Sequence, residues 1–400
     1  MKIIKGKYAT ATIFTDNIEE AALEQVIALT NAKVAEGQKI AIMPDVHAGK
    51  GSTIGTVMTV GDRVVPNQIG VDIGCGVYAY HIGPKDMKID FQLLQTTIES
   101  IIPSGSNVRE KVGPGILSQV KKIIDEMYAP VYSNLDYHAR SLGTLGGGNH
   151  FISIEVGETG TYLLIHTGSR NLGAVTAKYH QDVAKINNKR KDNSEIIQRL
   201  KEEGRASEIS KVLANLPPKE VDDLAYLEGQ DMENYLHDMK LAQEFAHQNR
   251  ELISFFISRM MGWEINEEKN VFSVHNYIDT EKKILRKGAV AAEEGQPFLV
   301  PLNMRDGTLI FKADEVRPDW LFSAPHGAGR ALSRTKAKKL LKMDTFHEQM
   351  EGIWTDSVVE ATLDEAPGAY KPAQEIKDIL NDVYTLVDHL KPVYNFKARD

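Results

Sequence analysis

The chemistry this chain can do is read first from Val71-Asp72-Ile73-Gly74-Cys75-Gly76-Val77, which holds the single cysteine of 400 residues. One thiol makes no intramolecular disulfide. Between glycines, with Asp72 three positions before it, a thiolate can ligate a metal, and its sulfur can bridge two ions. The competing use of an isolated cysteine is as a small buried hydrophobe. A second pattern recurs three times: an apolar run ending in histidine at a polar or glycine turn. It appears as Leu163-Leu164-Ile165-His166, as Val271-Phe272-Ser273-Val274-His275 and as Leu321-Phe322-Ser323-Ala324-Pro325-His326. Taken singly, each of these histidines fits a satisfied core position. Together with His150, which follows three consecutive glycines and Asn149, they can converge if their strands share a sheet edge. Neutral imidazole with thiolate and carboxylate suits a borderline first-row ion better than Mg²⁺ or Ca²⁺, which prefer oxygen cages.

The elements that must position these groups follow from periodicity. Residues 39–43 read as a buried strand running into a loop, 44–51, with Asp45, His47, Lys50 and two glycines. Such loops carry binding groups, although Asp45 and His47 equally suit turn and cap roles. One or two short strands are expected within 2–15, a helix over 18–35, and helices at 90–101 and 115–127. The stripe Met232, Tyr235, Leu236, Met239, Ala242, Phe245, Ala246, Asn249, Leu252, Ile253, Phe256 and Met260 predicts a long helix over 231–261. Asn249 on that stripe needs a buried partner. A polar, charge-dense helical excursion spans about 184–220, either an exposed pair of helices or a mobile segment. It reads as a solvated face, with Lys185, Lys189, Arg190 and Lys191 as a basic cluster able to grip RNA if it is an arm. A basic helix near 330–341 begins beside His326, where its N–H groups would favour an anion. A last helix is expected near 372–390.

Composition narrows the class. With 42% hydrophobic residues and a net charge of −8 the chain is globular, without the broad basic coat of a general nucleic-acid binder. No run of about 18 apolar residues occurs, and the N-terminal stretch lacks a signal-peptide pattern. The expectation is a cytoplasmic protein without a membrane segment.

In order along the chain, PDVHAGKG, VDIGCGV, GGGNHF, HTGSRNLG, YLHDMKLAQEFAHQNR, SVHN, RKGA, PHGAGRALSR, EAPGAY and the terminal FKA resemble the motifs of the RtcB family of GTP-dependent RNA ligases. The resemblance implies a mixed α/β (α+β) fold with central sheets flanked by helices, forming one domain over 1–400. It implies two Mn²⁺ ions held by Asp72, Cys75, His150, His166 and His275, with Cys75 between them. His326 becomes the nucleophile that takes GMP from GTP. Asn149, Asn276, Asn303, Thr308, Gly327, Ala328, Gly329, Tyr370 and Lys397 become nucleotide contacts, and Asp45, Arg170 and Arg330 face the phosphates or RNA end. The reaction implied joins a 2′,3′-cyclic phosphate or 3′-phosphate end to a 5′-hydroxyl end, with an archease-like activator as a possible partner.

Two departures stand out. Family members carry a glutamate in the pattern NHFxE, whose carboxylate pairs with the guanine edge; here that position is Ser153, with Glu155 two places on. Where a PGSMG phosphate loop is usual, this chain reads Pro301-Leu302-Asn303-Met304-Arg305-Asp306-Gly307. The alternatives are a dinuclear metal phosphoesterase without a covalent nucleotide and a metal-containing RNA-end binding protein.

Overall fold

The computed structural model describes residues 1–49, 51–214 and 223–399. Lys50 and the end of the polar excursion, with Pro217 and Pro218, lie outside the described residues. The fold is mixed α/β, as expected. Its centre is a seven-stranded sheet in the order Val271–Val274, Gly76–Gly83, Gly160–Thr167, Phe151–Gly157, Thr385–Phe396, Gly307–Lys312, Pro297–Asn303. Period-two alternation builds both faces. Val77, Ala79, Tyr162, Leu164, Val271, Leu299, Ile310 and Leu390 pack together on one side. Tyr78, Tyr80, Leu163, Ile165, Ile152 and Ile154 turn the other way, against Leu94 and Ile98 of helix Phe91–Ile101 and Ile253 and Ile257 of helix Gly229–Met261. The two edge strands meet, Leu299 N donating to Ser273 Oγ at 2.9 Å, so the sheet curls nearly closed around its inner cluster.

A six-stranded sheet lies alongside, in the order Lys2–Lys5, Thr10–Ile13, Lys39–His47, Ile54–Thr59, Ile284–Lys287, Asn276–Asp279. A separate ribbon pairs Ala289–Ala291 with Ser323–Pro325. The strand expected to end at Met43 continues to His47, and its register with Ile54–Thr59 shifts between Ile42 and His47. Asp45 and His47 thus sit on an irregular strand end, where a bulge can re-aim side chains.

Helix Gly229–Met261 follows the predicted stripe and stops at Gly262, which takes the left-handed φ of 69° that glycine adopts without cost. Met260 departs from the stripe and is exposed, because Ile257 and Met261 take the inward positions of the last turn. Asn249 is fully buried, and its amide ties together two loops. It accepts from Gly143 N (2.6 Å) and Thr144 N (3.0 Å) and donates to Thr144 O (3.0 Å) and Gly168 O (3.2 Å). Asn249→Leu would strand several buried backbone groups at once, each costing about 1–3 kcal/mol. Urea unfolding should therefore show a loss of at least ~3 kcal/mol; a loss under 1 kcal/mol would mean that the loops find other partners.

One expectation is corrected. The tail helix covers only Ala373–Asn381; beyond it Thr385–Phe396 is a strand, because Asp388, Leu390, Pro392 and Tyr394 alternate inward and Pro392 cannot sit inside a helix. The polar stretch near 184–220 is helical where it is described: helix Arg170–Glu202, 33 residues long, carries its first part and the short helix Ile209–Ala214 follows. Within its basic cluster, Lys191 pairs with Glu228, while the neighbouring Asn187 and Asn188 bond Asp231 and Tyr226. No helix among the described residues is long and apolar enough to cross a membrane.

Candidate metal centre and histidine cleft

Antiparallel pairing brings the start of one strand beside the end of the next, and this places the metal-capable side chains. Gly76 pairs with Thr167, Phe151 with His166, and Val274 with Gly76. Cys75, His150, His166 and His275 each lie at or just beyond those pairs, so they share one edge of the seven-stranded sheet. His326 does not come from that edge. It follows Ser323–Pro325 of the two-stranded ribbon, and its ring centroid lies 4.8 Å from that of His275.

The ligand atoms of Cys75, His150 and His166 all lie within 4.8 Å of one another. Cys75 Sγ is 3.3 Å from His166 Nε2 and 3.5 Å from His150 Nε2, and His150 Nε2 is 3.1 Å from Asp72 Oδ2. His150 Nδ1 faces Leu145 O at 2.9 Å and donates to it, which leaves the Nε2 lone pair for a cation. His275 adjoins this group, with its ring 5.2 Å from that of His166 and its N–H donating to Cys75 O at 2.9 Å. Burial pushes His166 and His275 well below the ordinary imidazole range, so both are neutral donors. Burial would raise Asp72, but His150 and Cys75 hold it at about 2. In the metal-free protein, burial and the Asp72 carboxylate push the Cys75 thiol up, a cost that a bound cation reverses. The donor set of sulfur, imidazole and carboxylate fits a first-row transition ion.

The backbone allows this approach only where side chains are missing. A Cβ on Gly168 would sit 2.1 Å from Asp72 Oδ1. Behind the ligands, the buried Arg250 donates to Gly74 O (2.9 Å) and Thr167 O (2.6 Å), joining the two ligand-bearing segments to the long helix.

His326 is held by one carboxylate. The fully buried Asp45 takes the His326 backbone N–H (3.1 Å) and Nδ1 (2.7 Å) on a single oxygen, Oδ2. That fixes the proton on Nδ1 and leaves the lone pair on Nε2. Asp45 O also accepts from His47 Nδ1 at 3.0 Å, and burial lowers His47 to about 4, so it is neutral too. Gly329, at φ 75°, packs against the same residue, where a Cβ would meet Asp45 O at 2.1 Å. Lys371 staples the Asp45 segment from behind, donating to Pro44 O and Val46 O at 3.0 Å each.

Two cavities meet at His326. A pocket is lined by His166, Asn303, Thr308, His326, Tyr370 and Lys397, together with Asn149, Gly327, Ala328 and Glu155. A larger outer cleft exposes Asp72, Cys75, His275, Asn276, His326, Gly329 and Arg330. Cys75 and His326 therefore face one space. Glu365 lines neither cavity and is buried among Lys397 (3.1 Å), Arg330 (3.1 Å), Arg334 (3.0 Å) and the Tyr370 hydroxyl, which do.

Some predicted contacts are already engaged. Asn303 reaches the pocket wall, but its amide closes its own turn, accepting from Arg305 N and Asp306 N and donating to Asp306. Arg305 likewise pairs with Asp306. Arg170 lines neither cavity; it donates to Gly105 O and Thr144 Oγ1 against the glycine loop. Asn276 bridges Asp72 O and Gly288 N at the cleft wall. The basic helix is short, Arg334–Leu340, and Ser333 caps it by accepting from Lys336 N (3.3 Å); Ser333, Arg334 and Lys336 line the cleft. Sequence reasoning missed Glu365, Lys371 and Arg250, although EAPGAYK and the QNR ending of the long helix marked them.

Fold and site together define a class: a mixed α/β protein with a buried cysteine–histidine cluster able to hold a metal, beside a carboxylate-held histidine. The chain belongs to the RtcB family, whose model, described as tRNA-splicing ligase RtcB, matches residues 25–134 and 129–398. It is 30% identical over 384 residues to the RNA-splicing ligase RtcB of Escherichia coli K12, covering 87% of this chain and 88% of that one. It is 25% identical to the tRNA-splicing ligase RtcB of Methanococcus maripaludis, covering 98% and 94%. The RNA-splicing ligase RtcB2 of another Escherichia coli strain is 26% identical, with 98% of each chain covered.

Proposed function

We propose that this chain, acting as one domain over 1–400, is a GTP- and Mn²⁺-dependent RNA ligase that joins 3′-phosphate or 2′,3′-cyclic phosphate ends to 5′-hydroxyl ends. The observation that carries the reading is His326, with Nδ1 locked on Asp45 and Nε2 free in a cleft shared with Cys75 and His275. An imidazole so oriented, with its Nε2 lone pair turned to the cleft, is a nucleophile. Nε2 attacks the α-phosphorus of GTP, the N–P bond forms as pyrophosphate leaves, and Asp45 balances the positive charge that develops on the ring. The phosphoramidate then surrenders GMP to an RNA 3′-phosphate oxygen. A 5′-hydroxyl attacks that activated phosphorus, its proton is lost, and GMP departs.

Asp72, Cys75, His150, His166 and His275 would hold the cations, which supply charge neutralisation for the phosphates and orient the leaving group. Lys397 in the pocket and Arg330 in the cleft, both ion-paired with Glu365, favour phosphate there. An archease-like activator and a cytoplasmic setting belong to the same reading and rest on the family resemblance.

The test is incubation with Mn²⁺ and α-labelled GTP. Label should attach to the protein, vanish in His326→Ala, and transfer to an RNA 3′-phosphate. Metal-replete protein that hydrolyses cyclic phosphate yet takes no label would overturn the ligase reading in favour of a phosphoesterase.

A further inference from the structure

The pocket beside His326 holds two buried acceptors that the protein leaves open. Glu155 Oε2 and Asn395 Oδ1 are buried without a hydrogen-bond partner among the described residues, and both residues line this one cavity with Thr308, whose hydroxyl lies toward Glu155. Buried polar groups left open carry a desolvation cost, so two acceptors lining one space call for a donor-bearing partner. Their placement is built into the sheet. Phe151, Ser153 and Glu155 lie on one face of their strand, Asn395 pairs in register with Ser153, and Thr308 comes from the next strand over. Ser153, standing where the family has its glutamate, donates to Glu155 Oε1 at 2.9 Å and so fixes the rotamer that leaves Oε2 free.

We propose that this set reads the edge of the nucleotide base, with Glu155 Oε2 and Asn395 Oδ1 accepting from the two adjacent donors of guanine and so setting the preference for guanine over adenine. The inference rests on the reading of the pocket as the nucleotide site. Guanine presents two adjacent donors, N1–H and the N2 amino group, and one acceptor, O6. Glu155 Oε2 and Asn395 Oδ1 are two acceptors, and the Thr308 hydroxyl can donate. Adenine presents an acceptor at N1, which a carboxylate repels and a carboxylic acid binds. Burial raises Glu155 to about 7, offset only in part by Ser153, Thr308 and Lys391, so both forms are present near neutrality. Lys391, on the strand paired with that of Glu155, is the charged group acting on it directly; His166, His326, Tyr370 and Lys397 share the pocket.

The experiment labels full-length, Mn²⁺-loaded protein with α-labelled GTP or ATP between pH 6 and 8.5 and takes the ratio of the two rates. Titration of His326 or of the metal centre affects both nucleotides and cancels in the ratio. The GTP preference should rise by roughly tenfold or more across this range. Glu155→Gln, which offers an acceptor and a donor at every pH, should flatten the ratio and lower it at pH 8.5. Thr308→Val should weaken GTP labelling while keeping the pH dependence. A wild-type ratio flat with pH, or an undiminished GTP preference in Glu155→Gln, overturns base reading and leaves the ligase reading standing. Protein that labels with neither nucleotide sinks both.

Discussion

Asp45→Asn should slow guanylylation of His326 by roughly 10²- to 10⁴-fold while the protein stays folded, by analogy with loss of the orienting carboxylate in a serine-protease triad. Asp45 is fully buried, and one of its oxygens serves both the backbone and the ring of His326. An amide in its place keeps the volume but loses the charge that steadies the ring as phosphorus bonds to Nε2. If its NH₂ turns toward the ring, the tautomer reverses and the nucleophilic lone pair moves to the wrong nitrogen. Single-turnover labelling with α-labelled GTP measures the rate, and Mn²⁺ titration checks that the metal centre is intact. A variant within twofold of wild type would mean that Asp45 has no part in activating His326.

Glu365→Ala should destabilise the protein by roughly 3–5 kcal/mol, because it leaves Lys397 and Arg330 buried without their counter-charge. Burial alone would raise the Glu365 pKa, but Lys397, Arg334 and Arg330 outweigh it and bring the group from the ordinary 4.5 down to about 2. The folded state therefore favours the charged form. This stabilisation is complete above about pH 4.5 and is lost as pH falls toward 2. Urea unfolding of the wild type and of Glu365→Gln should show their stabilities converging over that window. Parallel curves from pH 6 to pH 3 would show that the charge of Glu365 adds nothing. Nucleotide labelling should fall as well, because Tyr370 and Lys397 lose the group that aims them.

The chemical inventory was legible in the sequence because it is local. A cysteine between glycines, histidines at the ends of apolar runs and a bare triple glycine are short-range signals, and so is the stripe of the long helix. Elements were misread where local signals conflict. The tail was expected to stay helical because its helix runs straight into the next element, yet alternation around Pro392 made that element a strand.

Residue types and spacing by themselves pointed to a candidate metal-donor set, and the run of family motifs to the mixed α/β class and to His326 as the proposed nucleophile. Tertiary structure decided the rest. Antiparallel register put four ligands on one sheet edge, and a separate ribbon delivered His326. Asp45 was set on its Nδ1 across 281 positions of sequence. Glu365 was set among three cations, and Asn303 and Arg305 were spent on their own turn. Hydrogen-bond partners and burial are properties of chain segments far apart in sequence, so no local pattern encodes them; only the packed sheet does.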